Sequence, residues 1–214
     1  MTSGVRNTVA LCLAFVAVVL GALTYSVTRE PLLDDATLRE QGTFLLPTPR
    51  EIAPFSLLDQ RGVTFDNARL AGHWSLLFFG FASCPDVCPV TLAALAQVEK
   101  KLADAGRQDL LDGLKIYFVS VDPERDDAAT LTKYVEAFSL RFTGVTGSHD
   151  ALAEFAKQLN VAFMKVPDDK GGFTIDHTAN IVIVDPSGRY AGFMKLPHQA
   201  DRILAAYKTI AHRP

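Results

Sequence analysis

The chain has 214 residues, of which 49% are hydrophobic, enough for one domain with a substantial core and an appended segment. Its formal net charge of −3 comes from 21 basic and 24 acidic residues that are interspersed, and the lack of a basic face argues against nucleic acid as a partner. Three cysteines, Cys12, Cys84 and Cys88, are too few for a disulfide-stabilised scaffold but sufficient for one redox or metal site.

The first element along the chain is an apolar N-terminal segment, residues 8–28, which contains no charged side chain. About 20 helical residues span the ~30 Å hydrocarbon core of a bilayer, so the segment is predicted to be a transmembrane anchor. A cleaved signal peptide is the alternative. Arg6 lies before the segment, whereas acidic residues outnumber basic ones in residues 29–40, which predicts a cytoplasmic tail at residues 1–7. We therefore expect a single-pass protein of the bacterial inner membrane with its following domain in the periplasm.

Residues 29–52 mix charged side chains with three prolines and show no sustained periodicity, so they are predicted to form a linker. The folded domain is predicted to occupy residues 53–214. It opens with two short apolar runs, residues 55–58 and 63–65, and the turn residues between them predict a β-hairpin.

Strands and helices are predicted to alternate through the rest of the domain. Short apolar runs predict the strands, and apolar residues at helical spacing predict the helices. The predicted strands are 74–81, 114–121, 142–146, 161–166, 179–185 and 189–194. The predicted helices are 88–105, 126–139, 149–159 and 198–211. Asp126 or Asp127 is the predicted N-terminal cap of the second of these helices, and residues 167–172 are predicted to form a polar loop. This order, closed by a hairpin and a helix, predicts an α/β fold with a mostly parallel sheet centre, in which ligands gather beyond the carboxyl ends of the strands.

Cys84 and Cys88 follow the apolar run Trp74-Ser-Leu-Leu-Phe-Phe-Gly-Phe and precede a strongly helix-forming segment. Both thiols are therefore predicted to lie where a buried strand passes into a helix N-terminus. The helix dipole favours negative charge there and is expected to lower the pKa of the thiols. With this spacing the sulfur atoms could face one another on one helical side, where they could close a disulfide or hold one soft metal ion. A pair of buried structural cysteines is the third interpretation.

The run Thr174-Ile-Asp-His177 is predicted to be a loop just before the strand at 179–185, and its histidine, with an acidic neighbour, could complete a Cys–Cys–His set. Two thiolates and an imidazole suit Cu(I), and they also accommodate Cu(II) or Zn(II). A structural zinc site would need a fourth protein ligand, for which the sequence offers no obvious candidate. A purely structural histidine is the competing interpretation.

The other histidines and the domain's methionines are expected to have ordinary roles. Histidines without acidic or thiol companions are expected at the surface or in helix caps: His73, His149, His198 and His212. Met164 and Met194 lie inside apolar strand patterns and are predicted to be core residues, and Cys12 is predicted to face lipid or to pack within the anchor.

Four runs, in this order, resemble the Sco/SenC family: Phe79-Gly-Phe-Ala-Ser-Cys84-Pro-Asp-Val-Cys88-Pro, Ser120-Val-Asp-Pro-Glu-Arg-Asp126, Phe142-Thr-Gly and Ile175-Asp-His177-Thr. Members are membrane-tethered, thioredoxin-like proteins associated with copper delivery to the dinuclear copper site of cytochrome c oxidase. The resemblance covers about residues 50–212. It implies a thioredoxin-like mixed sheet and Cys84, Cys88 and His177 as copper ligands.

The resemblance also implies partners and leaves two other roles open. The implied partners are the copper-site subunit of the oxidase and other periplasmic copper carriers or thiol reductants. Oxidation of the pair to a disulfide is expected to block Cu(I) binding. An enzyme that reduces the oxidase's copper-ligand cysteines would use the same two thiols without metal, and a redox or copper sensor is the third hypothesis. Asp86, Asp122 and Asp176 are candidate residues of the shell around the ligands.

Overall fold

The computed structural model describes residues 3–28, 32–167 and 172–213. Contacts between residues divide the chain into two compact units, with the division between residues 32 and 33. The first unit contains α1, Ser3–Thr28. Its apolar part, Gly4–Thr24, is long and apolar enough to cross a membrane, a property that signal sequences share.

The second unit contains ten strands and six helices in the described residues, with a single-turn 3-10 helix at Asn67–Leu70. The helices are α2 Asp35–Glu40, α3 Val87–Asp104, α4 Gln108–Asp112, α5 Ala128–Glu136, α6 His149–Gln158 and α7 Ala200–Ala211. The strands are β1 Thr43–Arg50, β2 Ser56–Asp59, β3 Thr64–Asp66, β4 Trp74–Gly80, β5 Leu114–Ser120, β6 Thr143–Thr146, β7 Phe163–Pro167, β8 Phe173–His177, β9 Ile181–Val184 and β10 Tyr190–Met194.

Eight of the strands form one mixed sheet in the order β1-β10-β9-β4-β5-β6-β2-β3. β4, β5 and β6 are parallel, whereas β9 and β10 are antiparallel to their neighbours, so the predicted parallel centre and closing hairpin are both confirmed. β2 and β3 form the predicted N-terminal hairpin. The α/β mixed sheet flanked by helices is the fold that the sequence predicted.

The centre of the sheet is apolar on both faces, which explains why β4 has a continuous rather than an alternating apolar pattern. Leu76 and Phe78 point into the core layer beneath α3 and α7, and Leu77 and Phe79 point into the layer beneath α6. All four side chains are fully buried. The end of β4, from which the thiol loop departs, is therefore held from both sides.

The predicted linker at 29–52 is wrong for the part that belongs to the second unit. Thr43–Arg50 is an edge strand that pairs with β10, and Leu38 of the preceding helix is buried in the core. Pro47 and Pro49 obscured the strand pattern, but an edge strand tolerates proline because one side of its backbone needs no partner. The register of this pairing shifts between Leu45 and Arg50, around the prolines.

Two further differences concern short elements. The helix α4 is absent from the predictions because five residues are too few to show a periodicity. The predicted strand at 161–166 and the predicted loop around His177 pair with each other as β7 and β8, which form a two-stranded ribbon separate from the main sheet. Residues 168–171 of the predicted polar loop at 167–172 lie outside the described residues.

Candidate metal centre

The two thiols occupy unequal positions after β4. Cys84 lies in the loop between β4 and α3, where it is half-buried and its backbone N–H donates to the carbonyl of Phe81 at 3.1 Å. Cys88 lies in the first turn of α3 and is fully buried. Only Cys88 is helical, so the two cysteines do not lie on one helix face, but their thiols still interact through a side-chain hydrogen bond. Both are free thiols.

Gly80, the last residue of β4, makes room for the buried thiol. A Cβ at this position would lie 2.7 Å from Sγ of Cys88 and 3.0 Å from the ring of Phe118. No side chain fits there without displacing one of these groups. Sequence reasoning did not select Gly80, although a glycine within a strand pattern is a known signal of close approach by another group.

His177 is the last residue of β8, and its Nε2 atom lies 3.9 Å from Sγ of Cys88. Its Nδ1 atom lies 3.3 Å from the carbonyl oxygen of Thr178, which can only accept a hydrogen bond. We therefore assign the proton to Nδ1, which leaves the Nε2 lone pair facing the sulfur. The edges of Phe78 and Phe81 contact the ring at centroid distances of 6.1 and 6.0 Å and restrict its orientation.

Burial sets the protonation of both groups. It raises the pKa of the Cys88 thiol, and the neighbouring Cys84 and Asp126 raise it further, against the effect of a hydrogen bond from the Phe81 backbone. Burial likewise lowers the pKa of His177. The expectation that the helix dipole lowers the thiol pKa is therefore wrong for Cys88, because desolvation outweighs the dipole. The metal-free site holds a neutral thiol beside a neutral imidazole.

The spacing of these groups allows one metal ion to contact both. With bond lengths of ~2.1 Å to nitrogen and ~2.3 Å to sulfur, a separation of 3.9 Å corresponds to an angle of about 125° at a shared ion. Within the described ranges, no three His, Cys, Asp or Glu side chains are already gathered as a metal site. The Cys88–His177 pair is therefore spaced for one shared ion, and Cys84, whose thiol already interacts with that of Cys88 through a side-chain hydrogen bond, is the third candidate ligand.

The three acidic residues that the sequence singled out lie in different environments. Asp86 is the N-terminal cap residue of α3, but it is exposed and its side chain makes no capping hydrogen bond. Asp176 is exposed beside His177 and raises the pKa of the imidazole by its charge. Asp122 is fully buried and forms an ion pair with Arg125. The carbonyl of Thr178, rather than one of these carboxylates, orients the imidazole.

A carboxylate that sequence reasoning treated only as a candidate helix cap reaches the thiol loop. Oδ2 of buried Asp126 accepts hydrogen bonds from the Ala82 N–H at 2.9 Å and from the Ser120 hydroxyl at 2.6 Å. Asp127, not Asp126, caps α5. The signal was present, because Asp126 closes one of the four runs that carry the family resemblance.

His198 is a buried residue and not the predicted surface or cap residue. Its Nδ1 lies 2.9 Å from the hydroxyl of Thr91, in the turn of α3 that follows Cys88, and its Nε2 lies 3.3 Å from the carbonyl of Met194. It thereby ties the start of α3 to the end of β10. Met194 is buried as predicted, whereas Met164 is 63% exposed because β7 belongs to the ribbon and not to a core strand.

Comparison with known proteins identifies the family. The profile of the SCO1/SenC family matches residues 46–212. The chain belongs to this family. A protein of Stutzerimonas stutzeri that is named for copper binding is 30% identical over 197 residues, which is 92% of each chain. The SCO1/SenC resemblance found in the sequence is thus confirmed.

Solved SCO1/SenC structures confirm the fold. The crystal structure of Arabidopsis thaliana ScoI with copper bound is 30% identical and superposes with a TM-score of 0.68, covering 75% of this chain and 98% of that one. BsSco, a member of the Sco family of cytochrome c oxidase assembly proteins in which a disulfide switch is described, is 25% identical. Its TM-score is 0.60, and the match covers 78% of this chain and 97% of that one.

Proposed function

We propose that this chain is a membrane-anchored metallochaperone that binds copper through Cys84, Cys88 and His177 and delivers it to the dinuclear copper site of cytochrome c oxidase. The observation that carries the proposal is the approach of the His177 Nε2 lone pair to within 3.9 Å of the Cys88 sulfur. The copper-bound ScoI structure and the description of BsSco as an oxidase assembly protein support copper as the cargo and the oxidase as the destination.

The donor set suits Cu(I), because two thiolates and one imidazole are soft or intermediate ligands. Each thiol must lose its proton when it binds the ion, so loading releases protons and strengthens as the pH rises. The imidazole is already neutral and needs no such exchange. Release then requires a partner whose thiols or thioethers replace the ligands one at a time, beginning with Cys84 on the more exposed loop.

The oxidation state of the thiol pair controls loading in this proposal. Forming a Cys84–Cys88 disulfide removes two protons and two electrons to an acceptor such as a periplasmic disulfide, and it leaves no thiolate for copper. The disulfide switch described for BsSco supports this step. Copper binding and disulfide formation are therefore alternatives at the same two sulfur atoms.

A thiol–disulfide reductase is the second candidate function, and the unequal exposure of the thiols favours it. Cys84 is half-buried and could attack a partner disulfide, after which buried Cys88 would attack Cys84 and release the reduced partner. In this role Cys84→Ser abolishes the exchange, whereas Cys88→Ser accumulates a mixed disulfide with the partner. Copper would have no part in the reaction.

The proposed location is the bacterial inner membrane, with residues 1–7 in the cytoplasm, residues 8–28 spanning the bilayer and the domain in the periplasm. The helix α1 is long and apolar enough for the span. Modification of Cys84 in intact cells by a membrane-impermeant thiol reagent is expected. Protection of Cys84 until the membrane is permeabilised would reverse the orientation, and a shortened mature chain would show that the segment is cleaved.

The test of the copper site is anaerobic titration of the reduced full chain, in detergent micelles, with Cu(I). X-ray absorption is expected to show two sulfur ligands and one nitrogen ligand, and His177→Ala should lose the nitrogen. His212→Ala is the matched control, because His212 is exposed at the end of α7. Undiminished affinity and nitrogen coordination in His177→Ala would remove His177 from the site.

A further inference from the structure

One run of the family resemblance, residues 120–126, leaves the end of β5 beside the end of β4, and Asp126 at its end holds the thiol loop. Asp122 at its centre is fully buried, and its Oδ2 atom pairs with Nε of Arg125. Its Oδ1 atom has no hydrogen-bond partner among the described residues. A buried carboxylate with this little support needs its guanidinium partner, so the position of Arg125 is strongly fixed.

The same guanidinium reaches the strand that carries His177. Nη1 of Arg125 donates to the backbone carbonyl of Phe173 at 3.3 Å, and its Cζ lies 4.2 Å from the centroid of the Phe173 ring. Phe173 is the first residue of β8 and His177 is the last. Arg125 thus clamps the ribbon at the end opposite the imidazole.

Alternation along β8 connects the clamp to the imidazole. Phe173, Ile175 and His177 share one face of the strand, because side chains alternate with a period of two. Ile175 is buried in the core between the other two. Rotation of β8 about its own axis would therefore move Phe173 away from Arg125 and His177 away from Cys88 together.

The segment has two additional contacts. Glu124 accepts from Nζ of Lys165 on β7 at 2.5 Å, and Lys165 also lies over the ring of Phe173, 4.6 Å from its centroid. Asp126 holds the thiol loop through the N–H of Ala82. One short segment therefore contacts both the loop with the cysteines and the ribbon with the histidine.

We propose that residues 120–126 are a brace between the two halves of the site and that Arg125 is a positioning residue for His177. The brace joins the thiol loop through Asp126 and the histidine ribbon through Arg125. The inference rests on the proposed role of His177 as a ligand, but the position of the ribbon can be measured without metal.

The experiment compares Arg125→Gln with Arg189→Gln in the full chain in detergent micelles. Arg189 is a matched control, because it is 37% exposed and pairs with Asp185, which is 7% exposed, in the β9–β10 turn. For Arg125 and Asp122 the corresponding exposures are 39% and 0%. A second variant, Asp122→Asn with Arg125→Gln, removes both charges, so that no unpaired buried carboxylate remains.

The first readout is hydrogen exchange in the metal-free protein. Faster exchange of the β8 amides is expected in both Arg125 variants, with α3 and β4 unchanged, and no change in β8 is expected for Arg189→Gln. If Arg125→Gln unfolds, the double variant decides. Two results would overturn the brace. One is β8 exchange in the Arg125 variants equal to that of the wild type, and the other is a uniform increase in exchange over the whole domain in the double variant.

The second readout is the copper-loaded protein. The Arg125 variants should bind copper about 10–100-fold more weakly, the range for groups that orient metal ligands, with the nitrogen ligand weakened or lost and both sulfurs kept. Unchanged affinity with full nitrogen coordination would overturn the positioning role. A wild-type protein without a nitrogen ligand would refute the proposed Cys–Cys–His site instead, while the exchange result still decides the brace.

Discussion

The two halves of the site are built differently. The thiol half continues β4, whose side chains are buried on both faces of the main sheet, and it enters α3 directly. The histidine half is at the end of a two-stranded ribbon outside that sheet, held by Ile175 in the core and by the side chains of Arg125 and Lys165. The core therefore fixes Cys88 in the thiol half, whereas a few specific contacts fix the histidine half.

This difference suggests how one site could both hold and release a metal ion. Buried Cys88 changes position only if the core changes, so in the proposed copper site it would be the ligand that stays in place. The ribbon and the Cys84 loop can move at smaller energetic cost, because fewer apolar contacts hold them. Four predictions test the comparison, from the largest expected effect to the smallest.

The largest effect is expected from loss of the central thiol. Cys88→Ser should weaken Cu(I) binding by more than about 100-fold, beyond the range for groups that only orient ligands. His177→Ala should weaken binding less, because the two soft sulfur ligands remain. Competition against a Cu(I) chelator in reduced protein measures both. Equal losses would mean that the halves contribute equally.

Gly80→Ala tests how tightly the thiol half is packed. The new methyl group would lie 2.7 Å from the Cys88 sulfur, and such overpacking typically lowers the free energy of unfolding by ~1–3 kcal/mol. Urea denaturation measures the loss, which should be accompanied by weaker copper binding. Gly113→Ala is the control away from the site, because its new methyl group would come no closer than 3.3 Å to another atom, the carbonyl oxygen of Asp109. A Gly80 variant as stable as the wild type would show that this half can adapt.

Asp126→Ala tests the thiol loop separately from the ribbon. It removes the acceptor for the Ala82 N–H and the Ser120 hydroxyl, which should cost ~1–3 kcal/mol of unfolding free energy and accelerate amide exchange in the thiol loop but not in β8. Asp126→Asn should cost less, because an amide oxygen can accept the same bonds.

The pH dependence of Asp126→Asn provides the control for that experiment. Burial raises the pKa of Asp126, so its protonated carboxyl contributes stability below the unfolded value of about 4, and this contribution is lost as the pH rises through the raised folded value. The Asn variant should not show this loss. If the unfolding free energy of the two proteins depended on pH in the same way, the raised pKa assigned to Asp126 would be contradicted.

The smallest effect is expected from His177 in the metal-free protein. Burial lowers its pKa, so the neutral imidazole contributes stability above the unfolded value of about 6.5, and this contribution is lost as the pH falls through the lower folded value. His177→Gln should therefore show a shallower fall in unfolding free energy on acidification, measured by urea denaturation at pH 7 and below. His198→Gln is the comparison, since burial also lowers the pKa of His198. If the unfolding free energy of His177→Gln fell with pH as steeply as that of the wild type, the pH dependence would come from other groups.

The sequence by itself determined the elements that local patterns encode. Burial and turn chemistry act on neighbouring residues, so three elements could be predicted from local patterns: the continuous apolar run of β4, the turn between β2 and β3 and the closing hairpin. The cysteine pair and His177 were recognisable from residue type and family resemblance. Local patterns failed where strand pairing is decided at long range, as for β1 with its prolines and for the ribbon strand β8.

Only the tertiary structure decided which thiol is buried, which nitrogen faces it and what supports each of them. Cys84 and Cys88 are alike in sequence, but their exposure depends on β4, α3 and Gly80 meeting in space. The link from Arg125 to Phe173 joins residues 48 positions apart in the chain. Such contacts have no local signature, because they arise when separate elements pack against one another. The sequence thus named the candidate ligands, and the packing placed Cys88 in the core and His177 on a ribbon outside the main sheet.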